Sequence, residues 1–338
     1  MNILKPKQKL SGCIDYFRMT FKQHDIEFIL NEVLRMREEY FFREKSGKYG
    51  YVELFQFDQI RVYLSAPLDK RGIMIELAGQ GCRELEAILE AQKRTWFDFI
   101  ETAMQAGGKI TRLDIAVDDT KEYIHIPDCL TFTELRYAES RFNSFTFNGT
   151  GNINTGETEG VTIYFGSKKS NIYLTMYQKN YEQAKKQKVS VEEIGAWNRY
   201  ELRFTDERAE LALEELLKVR DCSIVGRGVL KEYLAFHYDE SLDTGKLKLK
   251  KLVKGWDRLI RDIDAIPLKV APKTNFYQRT ENWLRSQAAA SMRMVQIRDD
   301  MLETDSTIED MITRAKLSDR QVHMLEVLVG NMQDFICE

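Results

Sequence analysis

The chain predicts an α+β fold: a large twisted antiparallel β-sheet flanked by helices, with a helical C-terminal region. Three observations carry this. Stretches of period-two alternation recur at 11–20, 49–65, 72–77, 110–119, 161–178 and 198–204. The stretch 161–178 is interrupted by the short turn GSKKSN at 166–171, which brings its two strands together as antiparallel neighbours. Helical spacing fills the intervals and the C-terminal stretches 280–301 and 308–337.

In order, Ser11–Thr20 reads as a first strand, and Asp25–Arg37 as a helix with apolar positions Ile26, Phe28, Ile29, Val33 and Leu34. Tyr49–Ser65 and Gly72–Leu77 read as strands separated by a turn containing Pro67, and Cys82–Gly107 as one long amphipathic helix. Ile110–Asp119 is a strand; 127–160 is loop and helix, ending in the Gly/Asn/Thr-rich run FNGTGNINTGETEG, a flexible connection. After the hairpin, Ala184–Glu193 is a polar linker or short helix, Asn198–Phe204 a strand, and Asp206–Lys218 a helix packing Leu211, Leu213 and Leu216. GIMIELAGQGCRELE (72–86) echoes NRYELRFTDERAELA (198–212), which suggests duplicated half-sheets over about 10–107 and 108–220. That echo makes Glu76 the counterpart of Glu201 and an outside candidate for a site.

At 338 residues the chain makes one large or two medium domains, and composition shifts after about Tyr238, so the expected division is 1–237 and 238–338. No apolar run reaches the roughly 18 residues of a membrane helix, and MNILKPKQK lacks the apolar stretch of a signal peptide, so a cytoplasmic protein is expected. The five cysteines have no CxxC spacing and read as reduced thiols. The four histidines form no HxH or HExxH pair, which excludes zinc hydrolases. GQG at 79–81 is too short for a dinucleotide loop, so no organic cofactor is expected. With a net charge of −3, any contact with nucleic acid must be local.

The chemistry concentrates on three strands. Alternation puts Tyr173, Thr175, Tyr177 and Lys179 on one face of the second hairpin strand, opposite Ile172, Leu174 and Met176. The strand 110–119 presents Arg112, Asp114 and Asp118, and 198–204 presents Arg199, Glu201 and Arg203. Aligned in one sheet, these faces gather two or three carboxylates, a phenol and several cations. Oxygen ligands without histidine or cysteine suit Mg²⁺ or Mn²⁺. The metal set read here is Asp114, Glu201 and, less central, Asp118; the phenol is Tyr177, with Lys179 and Arg199 beside it and Tyr181 in reserve. A half-buried structural strand remains the alternative reading of the hairpin. Lys168 and Lys169 in the turn, Arg203, and the basic run 245–261 with Lys248, Lys250, Lys251, Trp256 and Arg258 suit backbone phosphates and one stacking contact; a solvated helix face is the alternative there.

RLDIAVD, IYFGSKKSNIYLTMYQK and RYELRF, in that order, together with SGCIDYFRMTF and LAGQGCREL, resemble the Rep_trans (replication initiation factor) family of rolling-circle initiators and conjugative-element relaxases. The resemblance runs from about Tyr16 to about Leu217. It implies sequence-specific nicking and joining of DNA at an origin, single-stranded at the scissile bond, by a metal-dependent tyrosine enzyme. In that scheme Tyr177 forms a 5′-phosphotyrosine, and Asp114 and Glu201 match the family's acidic positions. It also implies a superfamily 1 helicase of the PcrA type as partner, and a homodimer. The wording of the motifs leans towards a conjugative-element relaxase. A plasmid replication initiator, a non-catalytic DNA-binding regulator and a metal nuclease using water are the alternatives.

Overall fold

Two long strands, β1 (Leu10–Phe21) and β6 (Lys109–Asp119), pair side by side at the centre of a ten-stranded sheet. The coordinates are those of a computed structural model, which describes residues 6, 8–45, 47–156, 158–238, 251–269, 280, 281, 283–318, 321 and 322. Outward from β1 come β5 (Ile73–Ala78), β4 (Ile60–Leu64), β3 (Glu53–Phe57) and β2 (Phe42–Lys45). Outward from β6 come β11 (Asn198–Thr205), β10 (Ile172–Gln178), β9 (Thr158–Phe165) and β8 (Phe145–Gly151). Every neighbouring pair is antiparallel, so the two halves are laid out alike about the β1–β6 border.

One face of the sheet is apolar and covered by helices. Phe17, Ile75, Leu113, Ile115, Leu202 and Phe204 on that face are all 0% exposed. Removing six such side chains from water supplies on the order of 10 kcal/mol before the entropy of ordering them is counted. After β5 come α2 (Gln80–Ala91) and α3 (Trp96–Gln105); after β11 come α7 (Asp206–Val219) and α8 (Cys222–Tyr233), both packed on β6. Helix α8 also lies on β1, and Gly12 permits that approach, since a Cβ there would sit 2.2 Å from the Ser223 amide nitrogen.

Several elements differ from expectation for local reasons. The long helix expected over 82–107 is two helices. Lys93 turns to φ +57°, and Thr95 starts α3 with a reciprocal capping box to Asp98. The first helix is a short α turn (α1, Ile26–Phe28) that widens into a π-helical turn, Ile29–Leu34, and stops at left-handed Arg35. Within Tyr49–Ser65, Tyr49 belongs to a 3-10 turn (Lys48–Gly50), and the strand material is the β3–β4 hairpin, turned at Asp58 with φ +46°. Within 127–160, helix α4 (Ile126–Glu134) and strand β7 (Ala138–Ser140) precede β8. The Gly/Asn/Thr-rich run expected to be a flexible connection forms most of the β8–β9 hairpin, with Asn152 Oδ1 accepting the Asn154 amide in the turn. Lys179 opens α5 (Lys179–Gln187) and does not continue β10, and the capped turn α6 (Val191–Ile194) leads into β11.

The chain divides into compact units 1–270 and 271–338, so the boundary expected at 237/238 falls inside the first. The first unit is closed by β12 (Leu234–Phe236), paired with β7, and by α9 (Lys254–Ile260). The second contains a π-helical turn, Leu284–Ala288, leading into the helix Ala289–Leu302, and then the helix Thr307–Arg314. The helix expected over 308–337 lies largely outside the described residues. Among the described residues no helix is long and apolar enough to cross a membrane.

Candidate active site

The polar face of the sheet carries the site. Residues directly opposite across a ladder share a face, and the register of β6, β11 and β10 stacks three rows: Asp118–Arg199–Tyr177, Ala116–Glu201–Thr175 and Asp114–Arg203–Tyr173. All the expected catalytic and acidic strand residues therefore project to one side. Lys179 joins them from the first turn of α5, where it is 4% exposed.

At the centre, Tyr177 Oη donates to Glu201 Oε1 at 2.7 Å, and Lys179 Nζ donates to the same phenolic oxygen at 3.1 Å. Burial, and then the neighbouring Glu201 carboxylate, hold the Tyr177 phenol far above its usual range. Burial, and then the Asp15 carboxylate, also push Glu201 up. The phenol is thus protonated at rest and hydrogen-bonded to a carboxylate whose proton affinity is enhanced. Lys179 is held in turn by Glu182 at 2.7 Å, which also accepts from Lys186 at 2.6 Å. Burial opposes ionisation of Glu182, but the two ammonium groups outweigh it and keep its carboxyl below the usual range.

The two aspartates are bound to arginines. Asp118 takes Arg199 in a bidentate pair and the Trp197 indole N–H at 2.6 Å. Asp114 takes Arg112 in a bidentate pair at 2.9 and 2.6 Å, with Arg203 at 3.7 Å as an ion pair only. Burial still raises the Asp114 carboxyl above its usual range, against the pull of Arg112. The guanidinium of Arg199 also reaches Asp15 Oδ1 at 3.3 Å and lies 3.9 Å from Glu201 Oε1.

Asp15 was not among the residues anticipated, and β1 explains why. Strict alternation would place Asp15 on the core face with Phe17. A β-bulge between Ile14 and Tyr16 shifts the register, so that Ile14 pairs Ile115 and Tyr16 pairs Asp114. That irregularity leaves Asp15 out of the ladder and beside Arg199. Glu182 and Trp197 were missed because they act through Lys179 and Asp118.

A divalent ion is tested by the donor set. Among the described residues no three His, Cys, Asp or Glu side chains converge as a ready ligand cluster. Asp114 and Asp118 are committed to guanidinium groups. Asp15 and Glu201 are held less tightly, Asp15 by a single Arg199 contact at 3.3 Å and Glu201 by the Tyr177 hydroxyl with Arg199 at 3.9 Å, and Asp15 raises the Glu201 carboxyl. Two hard oxygen donors within reach of the same guanidinium fit a hard cation with water completing its shell, so the fit rests on Asp15 and Glu201.

The remaining expected residues are scattered. Lys168 and Lys169 are exposed in the β9–β10 turn, and Arg258 is exposed on α9. Tyr181 lies on α5, packed over Gly160. Lys248 and Lys250 lie outside the described residues; Lys251 is exposed beside that segment. Trp256 corrects the expectation of a stacking contact with DNA. It is 0% exposed, its ring 4.9 Å from that of Phe236 and edge-on to Tyr200, and it is part of the core.

Comparison with known proteins agrees with this architecture. Residues 108–312 match the family described as Rep_trans, "Replication initiation factor", and residues 11–102 match "Rolling Circle replication initiation protein N-terminal domain". The chain is 43% identical over 329 residues to the "Putative DNA relaxase NicK" of Bacillus subtilis (strain 168), covering 97% of this chain and 92% of that protein. The solved structure of a rolling circle replication initiator protein from Geobacillus stearothermophilus superposes with a TM-score of 0.64 at 28% identity, over 77% of this chain and 98% of that one. With its two halves on one sheet and its acidic, tyrosine-bearing face, the chain belongs to the replication initiation factor family of rolling-circle initiators and relaxases.

Proposed function

We propose that this chain nicks and rejoins one strand of DNA through a covalent bond to Tyr177. The observation that carries the reading is the short contact of Tyr177 Oη with Glu201, with Lys179 on the same oxygen. Glu201 accepts the phenolic proton as the oxygen attacks phosphorus, and Lys179 stabilises the developing phenolate. The bond formed is Tyr Oη–P and the bond broken is P–O3′, with the polarity the family resemblance implies. A proton from solvent completes the 3′ hydroxyl. The exchange conserves a phosphodiester, so the reverse attack reseals the strand without an external energy source.

Arg203, one-third exposed at its side chain, would meet the scissile phosphate in this reading. Arg199 is too tightly held by Asp118 to move, and fixes Asp15 and Glu201 in place instead. A Mg²⁺ or Mn²⁺ ion held by Asp15 and Glu201 would polarise a phosphate oxygen.

The relative with high identity over nearly the whole chain is described as a relaxase. This supports transfer of a conjugative element over plasmid replication as the biological setting. A superfamily 1 helicase and a second copy of the chain belong to the same reading as partners.

The test is incubation with Mn²⁺ and an end-labelled oligonucleotide carrying the cognate origin, followed by a denaturing gel. A protein-linked fragment that disappears in Tyr177→Phe supports the reading. Free cleaved product without a linked species would assign hydrolysis by water. An adduct that survives in Tyr177→Phe would move the nucleophile to Tyr181 or Tyr173.

A further inference from the structure

The N-terminal half carries a second tyrosine–glutamate–lysine cluster on the same face of the sheet. Glu76 of β5 is 2% exposed and accepts from Tyr16 Oη at 2.5 Å, Lys48 Nζ at 2.7 Å, Tyr49 Oη at 3.1 Å and Tyr63 Oη at 3.2 Å. The register repeats the catalytic layout. Tyr63 stands two residues along β4 from the partner of Glu76, just as Tyr177 stands two along β10 from the partner of Glu201. The electrostatics are opposite. Burial would raise Glu76, but the bonds from Lys48 and Tyr16 outweigh it and hold the carboxyl below its usual range, whereas Glu201 is held above. Four donors saturate Glu76, so it is unsuited to take a proton or to ligate a metal.

What the cluster does is hold rings and cations in place. Tyr49 is fixed at φ +56°, ψ +15°, a left-handed conformation that is uncommon for a bulky residue. Its carbonyl accepts from Arg71 at 2.6 Å, and the residue stays 49% exposed. Lys48 Nζ lies 4.8 Å and Arg18 Cζ 5.9 Å from the centre of that ring, and Arg112 Cζ lies 3.7 Å above the Tyr16 ring. Arg61, Glu76, Arg18 and Arg112 form one continuous row across β4, β5, β1 and β6. The neighbouring row runs Tyr16, Asp114, Arg203 and Tyr173 to the catalytic strands. Five cations (Arg18, Lys48, Arg61, Arg112 and Arg203) and the rings of Tyr16, Tyr49 and Tyr173 are thus interleaved with two neutralised acids.

We propose that this half of the face is a binding track for single-stranded DNA flanking the nick, with Tyr49 as a base-stacking residue and Arg18 and Lys48 as phosphate contacts. Flat rings among cations match the chemistry of an unpaired strand, whose base faces are open; in a duplex those faces are already stacked. The inference rests on the chain acting on DNA, but not on Tyr177 being the nucleophile.

The test measures fluorescence anisotropy with labelled oligo(dT) in a Tyr177→Phe background, so that covalent chemistry plays no part. Long and short strands are compared, with a blunt duplex as competitor. Tyr49→Ala is expected to weaken long-strand binding about tenfold, and Tyr49→Phe less than about threefold, because the ring is kept. Lys48→Ala should flatten the dependence of affinity on salt. Photocrosslinking of a halogenated uracil strand should label the peptide containing Tyr49, which gives a readout independent of variant folding. Unchanged affinity in Tyr49→Ala together with no label on that peptide would overturn the track. So would displacement of oligo(dT) by duplex at equal concentration. A missing adduct in the Tyr177 experiment alongside a Tyr49-dependent affinity would instead count against the nucleophile and leave the track standing.

Discussion

Arg199 and Asp118 face each other across β11 and β6 and are joined twice, Nε to Oδ1 at 2.7 Å and Nη2 to Oδ2 at 2.8 Å, with each residue only 3% exposed. A buried pair of this kind is expensive to break from one side, because the other charge is stranded. Arg199→Ala should cost about 3–5 kcal/mol of stability in urea unfolding. A loss below about 1 kcal/mol would show that water or Trp197 replaces the guanidinium.

Asp119 supplies a dependence of stability on pH. It is fully buried and accepts the amides of Lys121 and Tyr123, and burial, which outweighs those bonds, raises its carboxyl to about 6. The native state therefore holds a proton that the unfolded chain has released. The stability this contributes is complete below the ordinary aspartate value and is lost as pH rises through about 6. Thermal melts should fall across that window in the parent protein and flatten in Asp119→Asn. A parent curve that rises from pH 4 to pH 6 with the same slope in both proteins would contradict the assignment.

Divalent metal should raise the melting temperature, and Asp15→Asn and Glu201→Gln should each remove most of that increment. Asp114→Asn should keep it, since its carboxylate is held by Arg112. Calorimetry with Mn²⁺ distinguishes the two sets, and loss of binding in Asp114→Asn alone would return the ligand role to that residue.

Trp256 is a core residue, so Trp256→Ala should cost about 3–5 kcal/mol in denaturant unfolding. Affinity for DNA measured on the folded fraction should stay within about twofold, because no ring is lost from the binding face. A stable variant that binds DNA weakly would reverse that conclusion.

The polar faces of β6, β10 and β11 could be read from residues because alternation is strict there: Asp114, Asp118, Arg199, Glu201 and Tyr177 fall on one side by counting alone. Asp15 could not, since a bulge erases the parity on which the counting depends. The basic stretch around Trp256 misled for another reason. Lysines flanking a tryptophan look the same in sequence whether the ring faces solvent or docks on Phe236, and only tertiary packing distinguishes them. The break at Lys93 was visible in principle from Thr95 and Asp98, which form a capping box inside an otherwise continuous helical pattern.

The β1–β6 border is paired from Leu10 with Asp119 to Thr20 with Lys109. Cutting the polypeptide between α3 and β6 would give each fragment a long strip of amide and carbonyl groups with no hydrogen-bond partner, the template on which aggregates grow. Fragments 1–107 and 108–338 made apart should therefore precipitate, and made together should recover solubility by zipping along that strip. The enzyme would then be splittable into complementary pieces along the strip that joins the two halves of its sheet.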